Sequence, residues 1–378
     1  MRLNSFDDFT PLKEIIVGSA DNYAERVRDL TFEMFISDNL TGARGYYPTI
    51  SVSGEARLDE SPERIAFRQR LADELVEDVE GMAAALESLS VTVHRPMALE
   101  KVDRGVTAPA WSAPVTPPLN VRDNTLILGD EIIETPPTLR ARYFETKFLT
   151  PVFMCYFEQG ARWTTMPRPM MTDHSFDPAN TDAAPNIERP VDPQASPYDV
   201  GLEMMIDGAN ALRLGRDLIV NISNANHALA VDWLERHLEG RFRVHRMHKL
   251  TQSHIDSVVV ALRPGTLLLR SEGALEYLPK ELRSWDTIIA PTPALEDYPQ
   301  YENGDPIPPS PYIDLNVLSI DESTVMVNDA CKTLIRTLED HKFTVVPVRH
   351  RHRRLFGGGF HCFTLDTVRS GGGEDYLS

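Results

Sequence analysis

Cysteine is scarce in this chain. Cys155, Cys331 and Cys362 are the only three in 378 residues, an odd number at wide spacing, which excludes a disulfide framework and a paired-cysteine zinc site. Long apolar runs are missing too. No stretch approaches the roughly 18 apolar residues of a membrane span, and residues 1–8 show no apolar core followed by a small-residue cleavage site. Positive charge is also in deficit: Lys plus Arg number 38 against 56 Asp plus Glu, a net charge of −18, which argues against nucleic acid as a partner. Together these absences predict a cytoplasmic protein, free of membrane and nucleic acid, in a compartment that keeps its thiols reduced. The hydrophobic fraction of 42% is ample for a substantial core.

What is there reads as alternating strands and helices. Residues 12–19 form a short apolar run ended by glycine and predict a buried strand. From Pro62 to residue 88 the apolar residues Phe67, Leu71, Leu75, Val79, Met82 and Leu86 recur at helical spacing, and 91–94 follows as a strand. Residues 121–134 predict a hairpin turning at Gly129-Asp130, and 138–148 a helix that ends before Pro151. An order of strand, strand, helix, strand then runs through 204–210, 218–221, 225–238 and 242–245. It recurs at 257–262, 266–269, 277–282 and 285–290, and again at 317–320, 324–327, 330–341 and 344–348. No sequence repeat is visible, yet the ββαβ rhythm predicts one α/β body over residues 1–378, built of similar units. Aperiodic stretches at 38–60, 104–120, 172–200 and 291–311 predict loops, which gather at one end if the units surround an axis.

One stretch stands apart chemically. Gly357-Gly358-Gly359-Phe360-His361-Cys362 sets a thiol directly after three glycines, and the alternation in 363–368 predicts a half-buried strand, so Cys362 lies where a flexible turn enters a rigid element. A buried structural thiol after a glycine turn has the same pattern. A cysteine nucleophile needs a base and an orienting group. His254 and Asp256 lead into an apolar run and share a face if that segment is extended, although an ordinary polar strand edge reads the same way. Asp207 and Asp123 lie beside strand ends, where carboxylates also serve turns. The basic run 349–354 predicts a positive field that favours the thiolate of Cys362, against a solvated loop that only offsets the acidic surface. A metal site from His350, His352, His361 and Cys362 matches no tight motif; neither metal nor cofactor is expected.

Taken in order, several segments resemble the amidinotransferase family, which includes glycine amidinotransferase and the inosamine-phosphate and cyanobacterial-toxin amidinotransferases. They are Arg122-Asp123, Ile132-Ile133-Glu134, residues 160–167, Asp207 within 206–210, Gly215-Arg216-Asp217, Ser253-His254-Ile255-Asp256, Leu315-Asn316-Val317-Leu318 and residues 357–362. The likeness covers the chain from about residue 9 onward. It implies a pentein-type α/β fold, a closed propeller of five ββαβ units around a central active site. By that resemblance Cys362 is the nucleophile, His254 the general acid and base, and Asp207 the carboxylate that orients His254. Asp123 and Asp256 hold a guanidinium, Arg122 joins the substrate-binding set, and Ser310 matches a serine that binds the donor's carboxylate. The implied reaction moves an amidino group from L-arginine through a covalent amidino-cysteine to an amine acceptor, with ornithine released and ping-pong kinetics. The alternatives are a deiminase-like hydrolase of the same fold and a non-catalytic binding protein that keeps the pocket.

Two departures bear on substrates. Ser253 stands where the glycine-specific members have methionine, which predicts an acceptor larger than glycine, as in natural-product or toxin biosynthesis. Gly273 stands where those members have an arginine for the donor's carboxylate, with Arg270 and Arg263 close by in sequence. The expected partners are these small molecules and a second copy of the chain in a homodimer.

Overall fold

Apolar periodicity sets the first elements. Leu12–Val17 is a strand, and the helical spacing becomes the helix Pro62–Ser88, which buries Leu71, Leu75, Val79, Met82 and Leu86 ahead of the strand Thr92–His94. The computed structural model describes residues 1–22, 26–27, 30–31, 49–50, 62–99, 105–177, 201–251, 254–292, 313–353 and 357–377. The loops expected at 38–60, 172–200 and 291–311 lie mostly outside the described residues; the one at 104–120 contains a short antiparallel pair, Gly105–Thr107 with Ser112–Pro114. No helix among the described residues is long and apolar enough to cross a membrane.

Five three-stranded sheets share one plan among the described residues, an antiparallel pair followed by a third strand parallel to the second. Four are continuous in sequence: Thr125–Leu128, Glu131–Glu134 and Arg162–Thr165; Ala211–Leu214, Asp217–Ile222 and Arg243–His248; Val259–Arg263, Thr266–Leu269 and Asp286–Ile289; Leu318–Asp321, Thr324–Asn328 and Thr344–Val348. The fifth joins the two ends of the chain, with Thr364–Arg369 paired to Leu12–Val17 and then Thr92–His94. A parallel return needs a crossover. Helices Thr150–Glu158, Ala225–Leu238, Lys332–Asp340 and Pro62–Ser88 supply it in four units, and the 3-10 turns Glu272–Tyr277 and Leu282–Ser284 in the other.

Successive strand residues point to opposite faces, so each unit meets a neighbour on either side. Ile127 and Ile132 join Ile16 and Leu365 in one apolar cluster, whereas Leu126, Leu128 and Ile133 join Leu218 and Val220 in the next. Leu212, Leu214 and Ile219 then meet Val259 and Leu267; Val260, Leu262 and Leu268 meet Val317, Val325 and Val327; and Leu318 with Met326 meets Ile15 and Val17. These clusters link the units in a closed circuit. The propeller of five units is therefore the fold the chain adopts.

Several elements differ from expectation for physical reasons. The segment 138–148 forms 3-10 turns at Arg140–Arg142 and Glu145–Leu149, and the α-helix starts at Thr150, with Pro151 in the first turn where its missing N–H costs nothing. The strand expected at 204–210 is Ala211–Leu214 instead, preceded by the 3-10 turn Gly208–Asn210. Its register follows from the turn at Gly215, whose φ of 65° and closeness to the Glu374 carbonyl, 2.1 Å from where a Cβ would lie, admit only glycine. The helix expected at 277–282 is not α-helical: residues 278–281 link the 3-10 turns Glu272–Tyr277 and Leu282–Ser284, and Pro279 among them lacks the donor a helix needs. Thr364–Arg369 is buried along its whole length rather than on one face. Its polar side chains belong to an interior charge cluster in which Asp366 accepts from Arg122 Nη2 (2.5 Å), Arg213 Nη2 (2.6 Å) and Arg369 Nε (2.8 Å), and Arg213 also binds Asp8. Burial works to raise the Asp366 carboxyl, but the three guanidiniums hold it well below the usual carboxylate range.

Candidate active site

In a ring of like units the corresponding strand ends converge, and each unit here sends residues to one centre from the segment ahead of its first strand. Asp123 precedes Thr125–Leu128, Asp207 precedes Ala211–Leu214, and His254 with Asp256 precedes Val259–Arg263. Asn316 precedes Leu318–Asp321, and Cys362 precedes Thr364–Arg369. All six are buried.

Cys362 occupies a tight turn in which the N–H of Phe363 donates to the Gly359 carbonyl (3.0 Å) and that of Thr364 to the His361 carbonyl (3.2 Å). Gly359 is required by close approach: a Cβ there would lie 2.7 Å from the Asn316 Cβ. Arg122 braces the turn from behind, its Nε donating to the carbonyls of His361 (2.8 Å) and Thr364 (3.0 Å) and its Nη2 to Asp366. This differs from the substrate-binding part expected of Arg122. Its donors are used in holding the nucleophile-bearing turn and the charge cluster.

His254 and Asp256 were expected on one face of an extended segment. Asp256 instead lies in the 3-10 turn Ile255–Ser257, with His254 just before it, and the turn directs both to the same centre. His254 Nε2 lies 3.0 Å from Asp207 Oδ2 and its Nδ1 3.7 Å from Asp123 Oδ1. Asp207 in turn accepts the Thr138 N–H through Oδ1 (3.2 Å). Asp256 Oδ2 lies 2.8 Å from His361 Nδ1 and accepts from Asn316 Nδ2 (2.9 Å) and from the Cys362 thiol (3.3 Å). Asp123 Oδ2 accepts from Arg142 Nη1 (2.6 Å), and Arg142 is itself held by Glu145 and the Asn120 carbonyl. The remaining oxygens, Oδ1 of Asp123 and Oδ1 of Asp256, are buried with no hydrogen-bond partner among the described residues, the former facing the His254 imidazole only across 3.7 Å. Buried carboxylate oxygens left without donors are costly, so this pair calls for a cationic ligand rich in N–H groups.

Charge is unusually distributed here. Burial tends to neutralise His254, but the charges of Asp123, Asp207 and Asp256 and the bond to Asp207 outweigh it and push the imidazole up to about 9. Burial pushes the Cys362 thiol well above its ordinary value, the charges of Asp256 and Asp123 add to this, and the bond from Asn316 works the other way. Much of the positive charge expected to act on the thiol from 349–354 is paired elsewhere. Arg351 is paired with Asp78 and Glu77, His352 with Glu74 and Arg353 with Asp314. The His350, His352, His361 and Cys362 metal set does not assemble either, since His350 turns to the Gly358 carbonyl and His361 to Asp256. Asp123, His254 and Cys362 are the group of described residues whose ligand atoms could share an ion, all within 4.8 Å of one another. The same closeness suits proton transfer beside a nucleophile.

Ser253 and Ser310 lie outside the described residues. Arg263, a stand-in for a donor-carboxylate arginine, stacks instead over Phe343 at 4.5 Å. In the sequence Asn316 is legible only within a matching tetrapeptide, Thr138 reads as the cap of a helix rather than as a site residue, and Arg142 carries no signal. Asn316 has a signal in hindsight: it stands two residues ahead of its strand, as Asp123 and Cys362 do of theirs.

The His254 environment is directly measurable. A histidine raised from 6.5 to about 9 contributes stability that is fully present below pH 6.5 and lost as pH rises through 9. Asp207→Asn removes the bonded charge, so the His254 imidazole signal in NMR titration is expected to move from about 9 toward 6.5. An unchanged midpoint would show that Asp207 does not sustain the imidazolium.

No family model matches the chain. The chain is 32% identical over 366 residues to inosamine-phosphate amidinotransferase 1 of Streptomyces griseus, covering 96% of each. It is also 32% identical over 316 residues to the L-arginine:L-lysine amidinotransferase of Pseudomonas savastanoi pv. phaseolicola, covering 82% of this chain and 83% of that one. Among solved structures, an inosamine-phosphate amidinotransferase from Streptomyces griseus superposes with a TM-score of 0.78 at 30% identity, over 100% of this chain and 99% of the other. A dimethylarginine dimethylaminohydrolase, at 13% identity and a TM-score of 0.54 over 94% of this chain and 99% of that one, shares the pentein fold alone. With about a third of its residues identical along nearly its whole length, the chain belongs to the amidinotransferase family and is a transferase.

Proposed function

We infer that this transferase takes its amidino group from L-arginine and passes it, through a covalent amidino-Cys362, to an amine larger than glycine. The observation that carries this reading is the pair of buried oxygens, Oδ1 of Asp123 and Oδ1 of Asp256, that have no hydrogen bond among the described residues and lie beside the thiol and His254. A guanidinium is planar, cationic and rich in N–H donors, and charge-assisted bonds to the two carboxylates would present its central carbon to sulfur. Arginine as donor is supported by the name of the Pseudomonas relative.

The protonation pattern supports an order of events. The donor's positive charge offsets the two carboxylates that keep the thiol protonated, so the thiol proton leaves to solvent as the donor binds. Sulfur bonds to the central carbon, the bond from that carbon to the ornithine nitrogen breaks, and the His254 imidazolium protonates the departing amine. Neutral His254 then takes a proton from the acceptor amine as its nitrogen attacks the amidino carbon and the C–S bond breaks, after which sulfur regains its proton. Two half-reactions through one covalent intermediate give ping-pong kinetics.

The test is a panel of amines with arginine as donor, read by ornithine and citrulline. Ornithine that appears only when amines are supplied is the expected result; citrulline formed from arginine and water alone would overturn transfer in favour of hydrolysis. Glycine is expected to be a poor acceptor and larger polar amines good ones, since a small acceptor in a roomy site leaves polar groups unpaired. Ser253→Met should depress the large amines by about tenfold or more relative to glycine. Efficient glycine turnover by the unaltered chain would remove the size argument.

A further inference from the structure

We propose that Asn316 is a positioning residue for this reaction, an amide that fixes the Cys362 sulfur against Asp256 and supplies the hydrogen bond that accompanies the sulfur while it is anionic. The inference rests on Cys362 being the nucleophile. A side-chain amide has two donors and two acceptor positions, and Asn316 uses three of the four on the reacting turn and the fourth on Asp256. Oδ1 accepts from the N–H of Gly359 (3.0 Å) and of Cys362 (2.8 Å). Nδ2 donates to Cys362 Sγ (3.1 Å) and to Asp256 Oδ2 (2.9 Å).

The chemistry explains why an amide suits this place. When the thiol loses its proton it also loses its bond to Asp256, and two negative groups are left 3.3 Å apart. Asn316 is then the group among the described residues that donates to both, one N–H to each, and so stands between like charges. A lysine or arginine would do this with a positive charge and would compete with the guanidinium for the carboxylates; an aspartate would add a third negative charge beside the sulfur. The neutral donor avoids both. Its backbone is anchored as well, the Phe360 N–H donating to the Asn316 carbonyl at 3.0 Å, so the amide and the turn are held as one piece.

The test compares wild type with Asn316→Asp, which keeps the acceptor side and loses both donors, and Asn316→Ala, which loses all four bonds. In the free enzyme, the rate of Cys362 alkylation by iodoacetamide is followed against pH by mass spectrometry of the Cys362 peptide. Both variants are expected to show the pH profile displaced upward, with alkylation at neutral pH slower by about tenfold or more. Turnover with arginine should fall by a larger factor than the KM for arginine changes. A folded variant, by circular dichroism, that alkylates with the wild-type pH profile overturns the proposal, whatever its melting temperature; either variant alone decides the matter. The alkylation needs no substrate, so it is separable from the transfer reading: failure of wild type to form an amidino adduct would remove that reading and leave the alkylation profiles to judge Asn316.

Discussion

Cys362→Ala is expected to form no amidino adduct and to lose turnover by about 10⁵-fold or more, the scale reached when a covalent nucleophile is removed. Incubation with arginine followed by intact-mass measurement should show the wild-type chain heavier by one amidino group and the variant unchanged. The fold should survive. Cys362 is not the lightly packed turn residue its glycine-rich neighbourhood suggests; it is buried in an apolar cluster with Phe360, Phe363 and Leu119. Alanine keeps the Cβ and the turn's backbone bonds, so the loss is one sulfur atom and about 1 kcal/mol. A variant that still turns over arginine would refute the covalent route.

The second large effect separates chemistry from binding. His254→Asn removes the proton donor for the departing amine and is expected to lower kcat by about 10³-fold, while arginine binding, carried by carboxylates, changes little. Asp256→Asn removes one half of the guanidinium's counter-charge and should weaken arginine binding by about 10- to 100-fold, the worth of a charge-assisted bond in a buried place. The same substitution also takes away a charge that holds the thiol up, so its kcat should fall less than that of the His254 variant. Calorimetric titration of arginine into each variant, made in the Cys362→Ala background to prevent turnover, measures the difference. Equal losses of affinity in both would mean that these roles are wrongly divided.

How much of this was legible in the sequence depends on distance along the chain. The units after residue 204 announce themselves because their strands and crossovers are contiguous and each carries its own periodicity. The unit built from Thr364–Arg369, Leu12–Val17 and Thr92–His94 could not be read as a unit, because its pairs join opposite ends of the chain. In the unit at 125–165 the proline at 151 was taken for a stop, whereas it starts the helix. The same rule governs the site. Cys362, His254, Asp207, Asp123 and Asp256 carry chemistry in their residue types, and the resemblance assembled them. Arg142 and Asn316 gain their parts only from packing against other segments, and nothing in an isolated arginine or asparagine signals that. The basic run follows the same rule: Arg351 and His352 are paired with Glu74, Glu77 and Asp78 of a helix some 270 residues earlier, and charge paired locally adds little to a field at the thiol.

The pairing of Leu12–Val17 with Thr364–Arg369 also bears on how the molecule closes. Leu12 pairs with Arg369, and Asn4 Nδ2 donates to the carbonyls of Arg369 (2.6 Å) and Gly371 (2.8 Å), so the strand that follows the thiol is held by residues far earlier in the sequence. No other strand pairing among the described residues spans so long a loop, and closing it is correspondingly demanding in entropy. Asp123, Asp207, His254 and Asp256 all precede Cys362 in the sequence, and the turn that bears the thiol leads directly into the strand that must find Leu12–Val17. A circular permutant that links residue 377 to residue 1 and opens the chain in another hairpin would shorten that closure while leaving the six converging residues in their units, so assembly speed and chemistry could be altered independently.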